Sequence, residues 1–452
     1  MAFERPRRQS GLTLIELMIA MVLGLLVAAG IITVFISTSK SNRVQTQLAT
    51  LQESGRFAVT RIKSDLSMAN GQYCTSSGGN ARPSSGGGYL DTLRAPTVYA
   101  AGDALEGALG DLTTKFGTSP YPSLPTGAYT LPAYLSMRGY DCTLSACTPI
   151  DPHSLVDGIP AAGTDVGDRV KGTAVLTLRY LNPASGWAIL PTGSTTGSLM
   201  VQNAADGTLQ VTLRPLTGEG EPPASNFQSG DLAMLADCSN AQIFAAGVSG
   251  GVVTSSATGT TAGKNFAQPS GPQGLSAPKL YDFTRDYQTV TYYVKVVDDG
   301  NGHKTGALIR RVNGGNTDRG GSEDELVRGI ERLDFKYGVL DQNGNTEFLS
   351  AADVDKADSA SCSSTVDNPV DSTDYGCLWR NVKSIEVDML VDGQMVMPTL
   401  TAQDLAYTYA TDGVTEPGQP SAHGIKPTDQ GFSDEMVRRE FTALVSLRNF
   451  NP

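Results

Sequence analysis

Residues 12 to 36 read LTLIELMIAMVLGLLVAAGIITVFI and contain one ionisable side chain, Glu16. As a helix this run spans roughly 37 Å, enough to cross a bilayer with some tilt. It reads as a membrane helix. The RPRR stretch ahead of it is a positive-inside signal, which keeps the extreme N-terminus in the cytoplasm and sends the C-terminal bulk to the other side. A cleaved secretory signal is the competing reading, with VAAG at Val27 to Gly30 as its nearest cleavage site, but the apolar core is long for it and the acid is an obstacle. A carboxylate costs roughly 2.5–3.5 kcal/mol near the middle of a membrane helix and less near its end. Glu16 therefore calls for an interaction that offsets this cost.

The helical pattern continues past the apolar run. Val44, Leu48, Leu51, Ala58, Ile62 and Leu66 recur at spacings of three, four and seven, an amphipathic stripe with polar residues around it. No proline occurs between Leu12 and Arg82. The pattern predicts one helix from about Leu12 to Met68, roughly 85 Å long, apolar all round in its first half and packed along one side in its second. Gly24, Gly30 and Gly55 are expected to weaken it locally.

A basic leader, Gly11, then LTLIE at the head of such a helix resembles the class III signal of type IV pilins and type II secretion pseudopilins. The resemblance implies that prepilin peptidase cuts between Gly11 and Leu12 and that the new amine of Leu12 is methylated. It also gives Glu16 a partner: the charged Leu12 amine of a neighbouring subunit, met in a low-dielectric bundle of helices where either charge alone would be costly. Snorkelling of Glu16 to the headgroup region is the plainer alternative. The expected organisation is a leader at 1–11, a membrane and filament-core helix at 12–36, the amphipathic half of that helix at 37–68, and a β-rich globular domain at 69–452.

Across the chain, 50 glycines and 24 prolines with only 18% charged residues fit a remainder of strands joined by long loops. Alternating runs begin at Thr173, Thr208, Asp231, Thr289, Ala307, Ile330, Val382 and Arg439. They predict an α+β fold, a long helix laid on antiparallel sheet. SEDELVRGIERL, from Ser322, is expected to open with a short helix. The formal net charge of −12 disfavours nucleic-acid binding by the bulk of the chain.

The later segments LVRGIERLDFKYGVLDQNGNTEFLSAADV, WRNVKSIEVDMLV and RREFTALVSLRN, in that order, resemble the PilW family of minor pilins. The resemblance covers the N-terminal helix and the C-terminal third. It is weak from Gly71 to about Asp165 and in the loops at 249–279 and 352–376. It implies a minor pilin of a type IV pilus, held in the bacterial inner membrane with its C-terminal domain in the periplasm and then drawn into a surface filament. The partners implied are other minor pilins, the major pilin, prepilin peptidase, the inner-membrane assembly platform and a tip adhesin. Roles in tip assembly, twitching motility, adhesion or DNA uptake follow from the same resemblance. A type II secretion pseudopilin shares the N-terminal logic, and a membrane-anchored secreted enzyme is an alternative of another class.

Six cysteines allow 15 pairings. Local closure favours Cys142 with Cys147 and Cys362 with Cys377, which leaves Cys74 to join Cys238. DQNGNTE places oxygen ligands at Asp341, Asn343, Asn345 and Glu347 with calcium-loop spacing, yet Thr346 stands where the loop needs glycine and Ala352 where it needs the bidentate acid. A solvated turn is the favoured reading, as it is for DDGNGH at Asp298 to His303. No GxSxG, HExxH or phosphate loop occurs, and His153, His303 and His423 lack triad neighbours. The acids of TGEGEPP, from Thr217, read as solvated, and Trp187 and Trp379 as core residues.

Overall fold

The computed structural model describes residues 13–69, 71, 82–83, 89–90, 96–111, 114–125, 127–154, 158–182, 184–203, 208–236, 241–255, 278–300, 302–340, 345–356 and 375–447. One helix, α1, runs unbroken over Leu14–Leu66. Thr13 caps its start and Lys63 lies in its last turn, where a cation favours the helix dipole. The hydroxyl of Thr33, inside the apolar half, donates back to the Ala29 carbonyl at 2.8 Å, so it carries no unmet polar atom outward.

Side chains from Leu14 to Thr38 are exposed, whereas Leu51, Ala58, Ile62 and Leu66 are buried. The stripe read from the sequence is thus the packed face, with Val44 and Leu48 half-buried at its lower margin. At Gly55 the helix continues and admits a neighbour: a Cβ there would fall 2.6 Å from the Phe441 ring.

That face lies across two antiparallel sheets. The first contains β1 (Met137–Cys142), β2 (Val175–Leu181), β3 (Tyr287–Asp298), β4 (Lys304–Val312) and β5 (Ser322–Arg328), in spatial order 5-4-3-2-1. The second contains β6 (Ile330–Leu340), β7 (Thr346–Leu349), β8 (Val382–Asp392) and β9 (Arg438–Ser446), in spatial order 7-6-8-9. α1 packs on β9, β8 and β5. Phe335, Tyr337, Val387, Met389 and Val445 from the second sheet join Ile62 and Leu66 in one core with Leu178, Val290 and Leu308 from the first. A separate sheet, built from segments including Leu199–Gln202, Leu209–Thr212, Leu232–Ala236 and Ala241–Ser249, closes on its own core of Trp187, Val211, Phe227, Leu235 and Phe244.

The α+β arrangement expected from the sequence holds, with one correction. SEDELVR is strand β5, paired with β4 from Ala307↔Arg328 to Val312↔Ser322, and not the start of a helix. Its first acid faces cations across the sheet: Glu323 pairs with Lys295 at 3.0 Å and with Arg311 at 3.2 Å, while Glu325 pairs with Arg328 on the strand itself. Edge pairing overrides the helix propensity of Glu-Asp-Glu-Leu here.

The upper end of α1 is fixed by a buried carboxylate. Asp65 is 4% exposed; Arg310 of β4 donates to it through Nε at 2.6 Å and Nη2 at 3.3 Å, Tyr292 of β3 at 2.6 Å and Tyr180 of β2 at 3.0 Å. Tyr292 and Arg310 are direct cross-strand partners, so one helix residue is gripped by three adjacent strands. Arg310→Met, which strands this carboxylate, is expected to cost about 3–5 kcal/mol, and Asp65→Leu made together with Arg310→Met to cost less than the single change. Thermal unfolding of the full chain in detergent micelles checks both.

The pH response has two limbs. Burial pushes the Asp65 carboxyl up, but the bonds from Arg310, Tyr292 and Tyr180 outweigh it and hold it below the usual carboxylate range. A carboxyl depressed in the fold contributes stability above its unfolded value, about 3.9, and loses it as pH falls through the lower folded value. Asp282 and Asp392 go the other way: burial first, then Asp231 and Asp286 for the one and Glu331 for the other, push them up to about 8 and about 7. Each keeps a proton that the unfolded chain has released, so stability falls as pH rises from about 4 to about 8. The unfolding temperature is expected to peak near pH 4–5, with Asp65→Asn flattening the acid limb and Asp282→Asn the alkaline one.

Candidate assembly and anchoring site

Glu16 sits at the third position of α1 and closes a capping box. Its Oε2 accepts from the Thr13 backbone N–H and hydroxyl, both at 3.0 Å, while the Glu16 N–H donates to Thr13 Oγ1 at 3.3 Å. The sequence gives the signal for this, a threonine three residues before a glutamate ahead of an apolar run, and the reading of Glu16 as a membrane acid passed over it. The carboxylate thus takes the N–H of the cap residue Thr13 and faces the positive end of the helix dipole. Both acceptor bonds use Oε2, and Oε1 makes no hydrogen bond among the described residues. Gly11 and Leu12 lie outside the described residues.

Above Glu16 the helix presents an uninterrupted apolar surface with no cover from the globular domain: its most apolar window is 0% buried, and Leu14, Leu25, Ile31 and Phe35 are each more than 60% exposed. Water would not tolerate an apolar surface of this extent on a monomer. Beyond it, Lys40 pairs with Asp404 at 3.2 Å and fastens the helix to the loop after β8. Asp404 is held below the usual carboxylate range, first by the backbone N–H of Thr401, then by its hydroxyl, then by Lys40.

Cys142 and Cys147 form a disulfide across the start of a small hairpin, as local closure predicts. Cys377 is disulfide-bonded, and the partner expected for it, Cys362, lies outside the described residues, as do Cys74 and Cys238. The calcium-loop candidates divide in the same way. Asp341 and Asn343 are outside the described residues, and Glu347 lies exposed on β7 opposite Val339 in a β6–β7 hairpin that pairs Leu340 with Thr346. Among the described residues no group of three or more His, Cys, Asp or Glu side chains is placed to hold a metal ion. β3 and β4 form a hairpin in which Asp298 pairs with Lys304, and Asn301 of DDGNGH lies outside the described residues.

One acid of TGEGEPP is not simply solvated. Glu221 accepts from the backbone N–H of Ala188 and of Leu216, both at 2.8 Å, and braces the separate sheet. Trp187 and Trp379 are fully buried, donating to the Pro222 carbonyl at 2.7 Å and to Asp355 at 3.0 Å. The sequence reading missed the buried ion pairs Asp65–Arg310, Arg138–Asp355 and Glu331–Arg438. Arginines at inward positions of alternating strands, such as Arg310 in ALIRRV, were the available signal.

The two ends of the chain match two family models. Residues 6–32 match the Prokaryotic N-terminal methylation motif, and residues 291–449 match Type IV Pilus-assembly protein W. Comparison with curated proteins and with solved structures gave no match. The first match covers the capping box and the bare half of α1 as far as Ile32, and the second runs from within β3 through β9. A methylation-type head on a long apolar helix, joined to this sheet region, makes the chain similar at its two ends to PilW-type pilins of the type IV pilus.

Proposed function

We propose that this protein is a minor pilin that waits in the bacterial inner membrane with its globular domain in the periplasm and is then drawn into a type IV pilus. The observation that carries the reading is the bare apolar half of α1, headed by a carboxylate and rigidly continuous with the half pinned to the domain. A surface that is apolar all round needs lipid before assembly and other such helices afterwards. Residues 1–11 are the leader removed by prepilin peptidase at the Gly11–Leu12 bond, and Leu12 bears the methylated amine.

Glu16 then has two roles. In the single chain its Oε2 caps the helix with Thr13. In the filament its Oε1 takes the Leu12 amine of a neighbour, an attraction of about 4 kcal/mol at 4 Å for an effective dielectric near 20. The pair offsets the cost of carrying the acid in an apolar bundle and fixes axial register. The match to the pilus-assembly family over β3–β9 favours the pilus over a secretion pseudopilus. Within the pilus we place the subunit with other minor pilins at the tip, priming assembly and supporting twitching motility, adhesion or DNA uptake. No catalytic role is proposed.

Mass spectrometry of the mature protein is expected to find a chain that begins at methylated Leu12; a chain that retains Arg5 to Arg8 would overturn the reading. Glu16→Leu is expected to leave membrane insertion intact and to lower recovery in sheared filaments by about tenfold or more, and normal recovery would count against the pairing.

A further inference from the structure

The Cys142–Cys147 bridge lies against a buried cation. Arg169, from a short strand paired with Lys295 of β3, is 0% exposed, and it donates through Nη1 to Cys142 Sγ at 3.2 Å and through Nη2 to Cys147 Sγ at 3.5 Å. Nη2 also reaches Asp151 Oδ1 at 3.0 Å, but that side chain is 43% exposed, and Arg169 Nε has no hydrogen-bond partner. A buried guanidinium is costly unless its donors meet good acceptors, and a disulfide sulfur is a weak one. The same contacts become strong once sulfur carries charge: a guanidinium against a thiolate is a charge-assisted pair, and a neighbouring arginine favours the thiolate form. Arg169 therefore fits the reduced pair better than the bridge.

Two further observations separate this bridge from a purely structural one. It links residues only five apart, so it constrains little of the unfolded chain. The hairpin also has a closure of its own, since the Thr143 N–H and hydroxyl donate to the Ala146 carbonyl at 2.8 and 3.0 Å. Reduction would leave both sulfurs beside Arg169. Access is one-sided: Cys142 is 7% exposed, whereas Cys147 is half-buried between the exposed Ala146 and Thr148.

We infer that Cys142–Cys147 is a thiol–disulfide exchange site for dithiol reductants, with Cys147 as the attacked sulfur and Arg169 holding the thiolate released at Cys142. A thiolate of the dithiol attacks Cys147 Sγ, and a mixed disulfide forms as the Cys142–Cys147 bond breaks. The electron pair of that bond goes to Cys142 Sγ, which the guanidinium receives. The second thiolate of the dithiol then attacks its own sulfur in the mixed disulfide, frees Cys147 as a thiolate that takes a proton from water, and leaves the reductant as the disulfide. Two electrons pass from dithiol to protein.

The test is a redox titration of the full chain in detergent micelles with reduced and oxidised dithiothreitol, followed by alkylation and peptide mass spectrometry that reads Cys142 and Cys147 apart from the other cysteines. Arg169→Met is expected to shift the midpoint about tenfold toward the disulfide, about 30 mV more negative, the size of one hydrogen bond to a charged group. Asp151→Asn keeps an acceptor for the His153 N–H but removes the anion that competes for Arg169, and it should shift the midpoint the opposite way. An arginine that only packed the hairpin would give the reverse for Arg169→Met, because its loss would loosen the loop and ease reduction. Acid-quenched reaction with glutathione should place the first adduct on Cys147. Easier reduction in Arg169→Met, a midpoint unmoved or more negative in Asp151→Asn, or a first adduct on Cys142 would overturn the proposal. Circular dichroism checks the fold of Arg169→Met, and should that variant fail to fold, Asp151→Asn and the adduct position decide.

Discussion

A single buried carboxylate determines how this molecule can act as one rigid piece. Asp65 lies one residue before the end of α1 and is held by Arg310, Tyr292 and Tyr180 from three neighbouring strands. Hydrophobic burial of Leu51, Ala58, Ile62 and Leu66 brings the helix to the sheets but is indifferent to small slides along the axis. A charged, hydrogen-bonded pair is not, because a shift of an ångström or two leaves desolvated charge unpaired. Close approach at Gly55 against Phe441 adds a second stop lower on the same face. Between them the helix and the domain move together, so whatever pulls on the N-terminus pulls on the whole protein.

The other half of α1 obeys the opposite rule. From Leu14 to Thr38 the helix makes no use of its own domain, and its apolar surface is left for a different solvent. Glu16 at its head is tolerable in a monomer because the helix N-terminus is itself electropositive and Thr13 supplies two donors. The same position makes it available to a second charge from outside. On the proposed pairing, one side chain at one turn of helix would serve both the isolated subunit and the assembled one.

The long helix, its packed stripe and strands β2, β3, β4, β6, β8 and β9 could be read from periodicity, because one-sided burial imposes a period of 3.6 or 2 on the apolar residues, whereas β1, β5 and β7 were not read. The Cys142–Cys147 bridge was legible from its short loop. What periodicity hides is polarity placed inside. Gln47, Ser54 and Asp65 fall on the buried face of α1 and look, in sequence, like the solvent side. The partners of Asp65 come from strands 115 to 245 residues away and cannot be matched by local spacing. The strand at Ser322 was misread for a related reason: its first acid, Glu323, answers Lys295 and Arg311 across the sheet, and cross-strand complementarity leaves no local trace. The capping box at Thr13 was in plain view but was masked by a reading that treated Glu16 only as a membrane acid.

The central claim is that the uncovered apolar surface of α1 exchanges lipid for protein when the subunit is assembled. A photo-crosslinking amino acid at Leu23, which is 57% exposed on that surface, tests it in cells. The account predicts phospholipid adducts in the membrane fraction and adducts to other pilin chains in sheared filaments. Crosslinks from position 23 to the protein's own globular domain, or the same lipid adducts in both fractions, would contradict it.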